Sequence, residues 1–186
     1  MNLEQLVGEK VTLRPFSRLD ALFIQKWMAD AELRRLIGEV APFTKEEAEL
    51  YYEKVQADPN RAWYIIMVRD EGKVIGEAGL LRMFKPWRCT DMSIVIGEKD
   101  KWRKGYGSEV GHLLLNYAFD HMGFHRVSIG VVGFNVNALK FWRHLGFKEE
   151  GIQRDGYFCD GDYSDFIMMS ILEDDYRARL SSHNES

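Results

Sequence analysis

The sequence has few cysteines and prolines, and it has no long uninterrupted run of apolar residues. Its two cysteines, Cys89 and Cys159, are too few for a disulfide framework or, by themselves, for a zinc site. So small a number of cysteines is typical of a reducing compartment, and we therefore expect a cytoplasmic protein. The four prolines fall between predicted elements, which leaves the intervening stretches free to form helices and strands.

Membrane segments and a strong basic excess are also absent. No run of about 18 apolar residues occurs, so we expect no membrane span. The first residues, Met1 to Gln5, lack the basic and apolar regions of a secretory signal. The chain carries 25 basic and 29 acidic side chains, a formal net charge of −4, which argues against nucleic acid as a partner.

The composition that remains is that of a globular protein. With 186 residues, of which 46% are apolar and 29% charged, the chain is long enough to bury a core without disulfides. It shows no repeat, low-complexity segment or proline-rich linker. We therefore expect a single domain over residues 1–180, followed by a flexible polar tail at 181–186.

Hydrophobic periodicity predicts a strand, three helices, a three-stranded meander and then alternating helices and strands. The predicted strands are Val11–Arg14, Trp63–Val68, Val74–Leu81, Cys89–Ile96, Arg126–Val132, Phe147–Gln153 and Tyr163–Ser170. The predicted helices are Leu19–Met28, Ala31–Ile37, Thr44–Gln56, Gly107–Met122 and Asn135–His144. This order favours an α/β (α+β) fold with a mixed, mostly antiparallel sheet.

The most informative segment is Trp102–Ser108, which lies between a predicted strand and a predicted amphipathic helix. Gly105 and Gly107 allow backbone N–H groups to converge at the helix start, where partial positive charge favours an anion. Arg103 and Lys104 add charge for a pyrophosphate. A plain surface loop with a glycine kink is the alternative. A P-loop is excluded because Lys104 precedes the glycines, and a dinucleotide fingerprint because Val110 stands where the third glycine is needed.

Three motifs follow one another along the chain. Gly105–Gly107 comes first, Asn135–Ala138 is followed by Gly146–Phe147, and the acidic, aromatic segment Arg154–Asp165 comes last. In this order and spacing they resemble the GNAT superfamily of N-acetyltransferases, whose acetyl-CoA loop has Gln or Arg where this chain has Trp102. The similarity covers essentially the whole chain. Trp with two basic residues after it resembles the branch that contains spermidine and ribosomal-protein N-terminal acetyltransferases.

The resemblance implies a fold and a co-substrate. The sheet is expected to be twisted, with helices on both faces and two central strands that splay apart around acetyl-CoA. The backbone of the first splayed strand is expected to pair with pantetheine, and the glycine loop to hold the pyrophosphate. The candidate cofactor-binding residues are Ile94, Val95, Ile96, Arg103, Lys104, Gly105, Tyr106, Gly107, Ser108, Asn135 and Lys140.

Two of these residues have an alternative role. Asn135 matches a polar contact that the family makes to the cofactor, and it is equally well placed as a helix N-cap. Lys140 could reach the 3′-phosphate of the nucleotide or could be a solvated surface cation.

The resemblance also implies direct attack of a neutral amine on the thioester, for which a carboxylate must receive a proton. Asp91 and Glu77 are the candidates, because relatives often carry Glu at the position of Asp91 and Glu77 lies in an otherwise apolar strand. Each could instead be an exposed strand carboxylate. A backbone N–H at Val95 or Ile96 is expected to stabilise the oxyanion. We expect no metal.

A proton donor for the leaving thiolate is harder to assign. Many members of the family use a Tyr at a position where this chain has Trp142, whose indole N–H does not usefully donate a proton. Either Tyr157 substitutes, or the thiolate leaves unassisted, which a thiol pKa of about 8–9 allows. Tyr157 is therefore the third catalytic candidate.

We expect an acetyl-CoA-dependent N-acetyltransferase that acts on a primary amine of a small molecule or on a peptide N-terminus. A non-catalytic CoA-binding regulatory module is the alternative. Acidic residues on two predicted walls of the acceptor cleft favour a cation such as a polyamine; they are Glu46, Glu47, Glu49, Glu53, Asp155, Asp160, Asp162 and Asp165. A basic cluster of Arg82, Lys85 and Arg88 leaves a nucleotide-linked amino sugar open as the acceptor, and a homodimer also stays open.

Overall fold

Eight strands form one sheet in the computed structural model, which describes residues 3–184, with the backbone alone at 182–184. The strands are β1 (Leu6–Val7), β2 (Val11–Pro15), β3 (Ala62–Val68), β4 (Lys73–Phe84), β5 (Cys89–Ile96), β6 (Arg126–Val132), β7 (Lys148–Cys159) and β8 (Asp162–Leu172). The helices are α1 (Ala21–Met28), α2 (Ala31–Ile37), α3 (Lys45–Ala57), α4 (Tyr106–Asn116), α5 (Val136–Leu145) and α6 (Glu173–Asn184). No helix among these is long and apolar enough to cross a membrane.

The strand order is β1-β2-β3-β4-β5-β6-β8-β7. Neighbouring strands are antiparallel except for β5 and β6, which run parallel. The parallel pairing joins Cys89–Asp91 to Arg126–Ser128 only, and beyond these residues the two strands separate. The predicted mixed, mostly antiparallel sheet with splayed central strands is therefore confirmed.

The sheet separates two apolar cores, because alternate residues of a strand point to opposite faces. In β3, Tyr64 and Ile66 belong to the core that α4, α5 and α6 cover, which is termed the α4 face. Trp63 and Ile65 belong to the core that α1, α2 and α3 cover, which is termed the α1 face. Helices therefore cover both faces, as the resemblance implied.

The short helices of the α1 face begin and end at residues that the sequence marks. The Asp30 side chain accepts a hydrogen bond from the Leu33 amide at 3.0 Å, and Gly38, at φ +85°, ends α2 in the left-handed conformation. Thr44 and Glu47 form a reciprocal capping box at the start of α3. These contacts confirm the predicted bounds of α2 and the predicted start of α3.

The chain differs from the prediction mainly at its C-terminal end. Strand β7 continues beyond its predicted end to Cys159, and strand β8 begins before its predicted start, at Asp162. Helix α6, which was not predicted, follows β8 directly. Most side chains of β7 are exposed on this edge of the sheet, so no apolar alternation marks its full length. Helix α6 overlaps the expected tail as far as Asn184, whereas residues 185 and 186 of that tail lie outside the described residues.

Candidate functional site

A gap opens where β5 and β6 separate. It encloses about 120 Å³ and is lined by Met92–Val95 of β5 and by Ile129–Val132 of β6. Both strands contribute residues from both of their faces, so the gap passes between the strands rather than over one side of the sheet. Leu36 of α2 and Trp142 of α5 also line this β5–β6 gap.

The exposed backbone edge of β5 has a definite register. A Cβ built on Gly76 of β4 would lie 2.1 Å from the carbonyl oxygen of Val95, so that carbonyl faces β4. The carbonyl of Ile96 instead accepts a hydrogen bond from the Trp102 indole at 2.7 Å. Because the N–H and C=O of one strand residue point to the same side, Ile94 and Ile96 direct their backbone groups to the gap. Val95 meets the gap through its side chain.

The glycine loop lies at the open end of the gap. Arg103 and Gly105 adopt left-handed conformations, at φ +59° and +84°, and α4 begins directly afterwards at Tyr106. A Cβ built on Gly107 would lie 4.0 Å from the Ile96 side chain and 3.4 Å from the Phe141 ring. The loop therefore brings the first turn of α4, whose amide groups have no partner within the helix, to the last residue of β5.

The flanking cations and the candidate residues of α5 have distinct environments. Arg103, Lys104 and Lys140 are exposed. The Asn135 side chain caps α5 by accepting from the Ala138 amide at 3.0 Å, and it donates to the Leu36 carbonyl at 2.9 Å. Asn135 thus takes the N-cap role that the sequence left open, and it also lines the β5–β6 gap.

Glu77 is a buried acid on the α1 face, with only 5% of its surface exposed. Its Oε2 atom accepts hydrogen bonds from the Trp63 indole at 2.7 Å and from the Tyr51 hydroxyl at 3.1 Å. Burial raises the pKa of Glu77 to about 7. In the register Glu77 lies opposite Val95, which lines the gap, so the carboxyl lies one strand away from it.

Asp91 lies apart from this acid. It pairs with Arg82 and stands opposite Ser128, at the closed end of the gap. Asp91 lies four positions before Val95 in β5, which corresponds to about 13 Å along the strand. The structure therefore does not bring the two carboxylate candidates together.

Tyr157 lies in a second cavity, at the β7–β8 hairpin. This hairpin cavity, of about 350 Å³, is lined by Arg35, Phe134, Tyr157, Asp160, Asp162 and Tyr163 among others. The Tyr157 hydroxyl is buried beside the Cys159 thiol, and burial raises its pKa to about 12. A Cβ built on Gly38 would lie 3.7 Å from the Tyr157 ring and 3.9 Å from Val132. Gly38 thus lies between Tyr157 of the hairpin cavity and Val132 of the β5–β6 gap.

A cation already occupies part of the hairpin cavity. The Arg35 guanidinium lies 4.2 Å from the centre of the Phe134 ring, and its Nε is 3.8 Å from an Asp160 carboxylate oxygen. An aromatic ring and carboxylates together are a common environment for a positive charge. The side chains of Arg35 and Asp160 are both more than half exposed, so solvent weakens their attraction.

Three aromatic residues that contact β4 or β5 were not among the predicted site residues. The Trp102 indole binds the end of β5, and Tyr51 and Trp63 hold Glu77. An acid in an apolar strand indicates that hydrogen-bond donors lie near it, but the sequence does not show which residues supply them.

Trp142 packs between Phe141 and Phe147, with ring centres at 4.9 and 5.0 Å.

The comparisons with known proteins agree with this geometry. The family described as acetyltransferase (GNAT) domain matches residues 10–148. Spermidine N(1)-acetyltransferase of Vibrio cholerae is 26% identical over 174 residues, with 93% of this chain and 99% of the relative covered. Uncharacterized N-acetyltransferase p20 of Bacillus licheniformis is 26% identical over 180 residues, with 94% of this chain and 99% of the relative covered.

A solved structure shares the fold. The crystal structure of Vibrio cholerae spermidine N-acetyltransferase in complex with CoA and spermine superposes with a TM-score of 0.83 at 23% identity, covering 91% of this chain and 99% of that one. The chain belongs to the GNAT acetyltransferase family. The prediction of an N-acetyltransferase is thereby confirmed. The names of the relatives support an enzyme over the alternative, a non-catalytic CoA-binding module.

Proposed function

We propose that this enzyme holds acetyl-CoA in the β5–β6 gap and that Glu77 receives the proton of a cationic small-molecule amine. The observation that carries the proposal is the position of Glu77, a buried carboxyl opposite a residue that lines the gap. A base with a pKa of about 7 suits proton transfer at neutral pH.

The residues at the gap fit acetyl-CoA. When bound, acetyl-CoA supplies a thioester as the acyl donor. The backbone groups of Ile94 and Ile96 face the gap and fit the extended, amide-containing pantetheine as a strand partner. The first amides of α4, with Arg103 and Lys104 at the exposed loop, fit the pyrophosphate. Asn135 and Lys140 are assigned weaker roles in cofactor binding: Asn135 lies at the wall of the gap, and Lys140 lies at the surface of α5.

The backbone register of β5 supports Ile96 over Val95 as the donor to the oxyanion. Val95 turns its carbonyl, and with it its N–H, to β4. Ile96 turns its backbone to the gap and therefore remains as the amide that stabilises negative charge on the carbonyl oxygen. Tyr157 lies in the hairpin cavity and is the proposed proton donor to the thiolate, because its hydroxyl carries a proton at neutral pH and Trp142 cannot serve.

The hairpin cavity supports a polyamine-like acceptor. Arg35 already lies against Phe134 and Asp160 there, which leaves Asp162 and the Tyr163 ring of the lining to attract an ammonium group. The alternative acceptor, a nucleotide-linked amino sugar, was inferred from Arg82 and its basic neighbours. Arg82 pairs with Asp91 at the closed end of the gap, which leaves the cation as the acceptor that the geometry favours.

The assignment of the base predicts a pH profile. We expect kcat/KM for acetyl-CoA and spermidine, measured by thiol release, to rise through about pH 7 as Glu77 ionises. Glu77→Gln should lower the rate by roughly 10²–10⁴-fold and remove this limb. The matched variant Asp91→Asn should keep it. A limb that survives in Glu77→Gln and disappears in Asp91→Asn would transfer the role to Asp91.

A further inference from the structure

We propose that Tyr51 is a positioning residue for the reaction: its hydroxyl holds one oxygen of Glu77, so that the other oxygen takes the proton. This inference rests on the proposed role of Glu77 as the base. It assigns a function to α3, a helix that contributes none of the residues lining the gap.

The two hydrogen bonds to Glu77 converge on a single atom. The Tyr51 hydroxyl and the Trp63 indole both donate to Oε2, at 3.1 and 2.7 Å. No residue in the described part of the chain donates to Oε1 at hydrogen-bond distance. Donors lower the basicity of the oxygen that accepts them, so Oε1 is the oxygen that remains to accept a proton.

Tyr51 is held in place and keeps its proton. Its ring packs against Phe16 and Phe43, with ring centres 5.9 and 6.1 Å away. Burial raises the pKa of Tyr51 well above its ordinary value, so the hydroxyl stays a donor throughout the working pH range. Tyr51 thus stabilises the charged form of Glu77 without exchanging a proton with it.

The other charged groups near Glu77 act over longer distances. Arg61, which precedes β3 and lies 5.1 Å from the centre of the Trp63 ring, lowers the pKa of Glu77 by its charge. Glu39, in the segment between α2 and α3, raises it. Both effects are smaller than those of the two hydrogen bonds, so removal of one donor should have the larger consequence.

The direct test is a titration of the Glu77 carboxyl in the free enzyme. Carbon-13 NMR of glutamate-labelled protein, with Glu77→Gln to identify the resonance, measures its pKa. We expect Tyr51→Phe to raise that pKa by about 1, because the variant loses one hydrogen bond to the carboxylate. Trp63→Phe should raise it as well, and it tests the same arrangement should Tyr51→Phe not fold.

The neighbouring tyrosine of α3 provides the matched control. Tyr52 packs edge-on against Phe16 at 5.3 Å, and in the described part of the chain the hydrogen bonds to Glu77 come from Tyr51 and Trp63 instead. Tyr52→Phe removes the same atom from the same helix and should leave the pKa of Glu77 unchanged. An equal change in both variants would show that α3 acts only through packing, and the inference would be overturned.

Kinetics separate this inference from the proposed base. If Tyr51 positions Glu77, kcat/KM of Tyr51→Phe falls about tenfold at pH 6, on the acid limb, and recovers at pH 9. An unchanged profile, together with a limb that is lost in Glu77→Gln, would refute the role of Tyr51 and keep the base. A limb that persists in Glu77→Gln would refute the base itself.

Discussion

At Glu77 a structural cost accompanies the proposed catalytic role. An ionised carboxyl is expensive to bury, and the donors Tyr51 and Trp63 offset only part of that cost. The remaining cost appears as a pKa raised to about 7. A carboxyl in water would be fully ionised at that pH and would be a weaker base. Burial therefore gives Glu77 a proton affinity that suits the proposed deprotonation of an amine.

The same cost should appear in the stability of the fold. Because the pKa of Glu77 in the folded chain, about 7, lies above the ordinary 4.5, the folded state binds its proton more tightly. This stabilisation is complete below pH 4.5 and is lost as the pH rises to 7. Between pH 4.5 and 8, Glu77→Gln should therefore gain about 3 kcal/mol of unfolding free energy relative to the wild type.

Urea unfolding of both proteins at several pH values measures this difference. The gain should develop between pH 4.5 and 7, where the wild-type carboxyl ionises. A stability difference that stays constant from pH 4.5 to 8 would show that Glu77 is not destabilised by burial, and would contradict the account of its pKa.

At the scale of secondary structure, helix α4 is the second part of the proposed site. Its first turn starts from a left-handed Gly105 and lies against the last residue of β5 through Gly107. The partial positive charge of a helix start acts only within its first turn. The position of the helix at the open end of the gap is therefore as important as the basic residues beside it.

A negative charge in that turn should remove the anion site. We expect Gly107→Asp to weaken CoA binding, measured by isothermal titration calorimetry, by about a hundredfold or more, through repulsion and contact with Phe141. The control is Gly151→Asp, which adds the same side chain to the exposed strand β7, where nothing lies within 4 Å and the backbone is not left-handed. Equal loss of binding in both variants would contradict the assignment.

The elements that build the site could be predicted from sequence better than its contacts. Strands β5 and β6 have the predicted bounds, because short β-rich apolar runs mark them. Glu77 could be singled out as an acid in an apolar strand. Its donor Tyr51 lies 26 positions away on a helix, and such a contact depends on how α3 packs on the sheet. Helix α6, with little apolar periodicity, left no signal.

The fold places these parts at the carboxyl ends of two central strands of a single sheet. Strands β5 and β6 are the parallel pair in an otherwise antiparallel order, and α4 and α5 begin beyond their carboxyl ends. Ligands bind at such ends in many α/β proteins, because backbone groups and helix starts converge there. The gap is lined by residues from both faces of the sheet, so the proposed donor and acceptor could approach each other within it.

The central claim is that CoA lies along the inner edge of β5 with its phosphates at α4. The most direct test is a titration of nitrogen-15-labelled protein with CoA, followed by amide NMR. We predict the largest shifts at the amides of Ile94, Ile96 and Tyr106–Ser108, and small shifts at the closed end, at Cys89–Asp91. Saturable binding that leaves the first group unchanged would contradict the account.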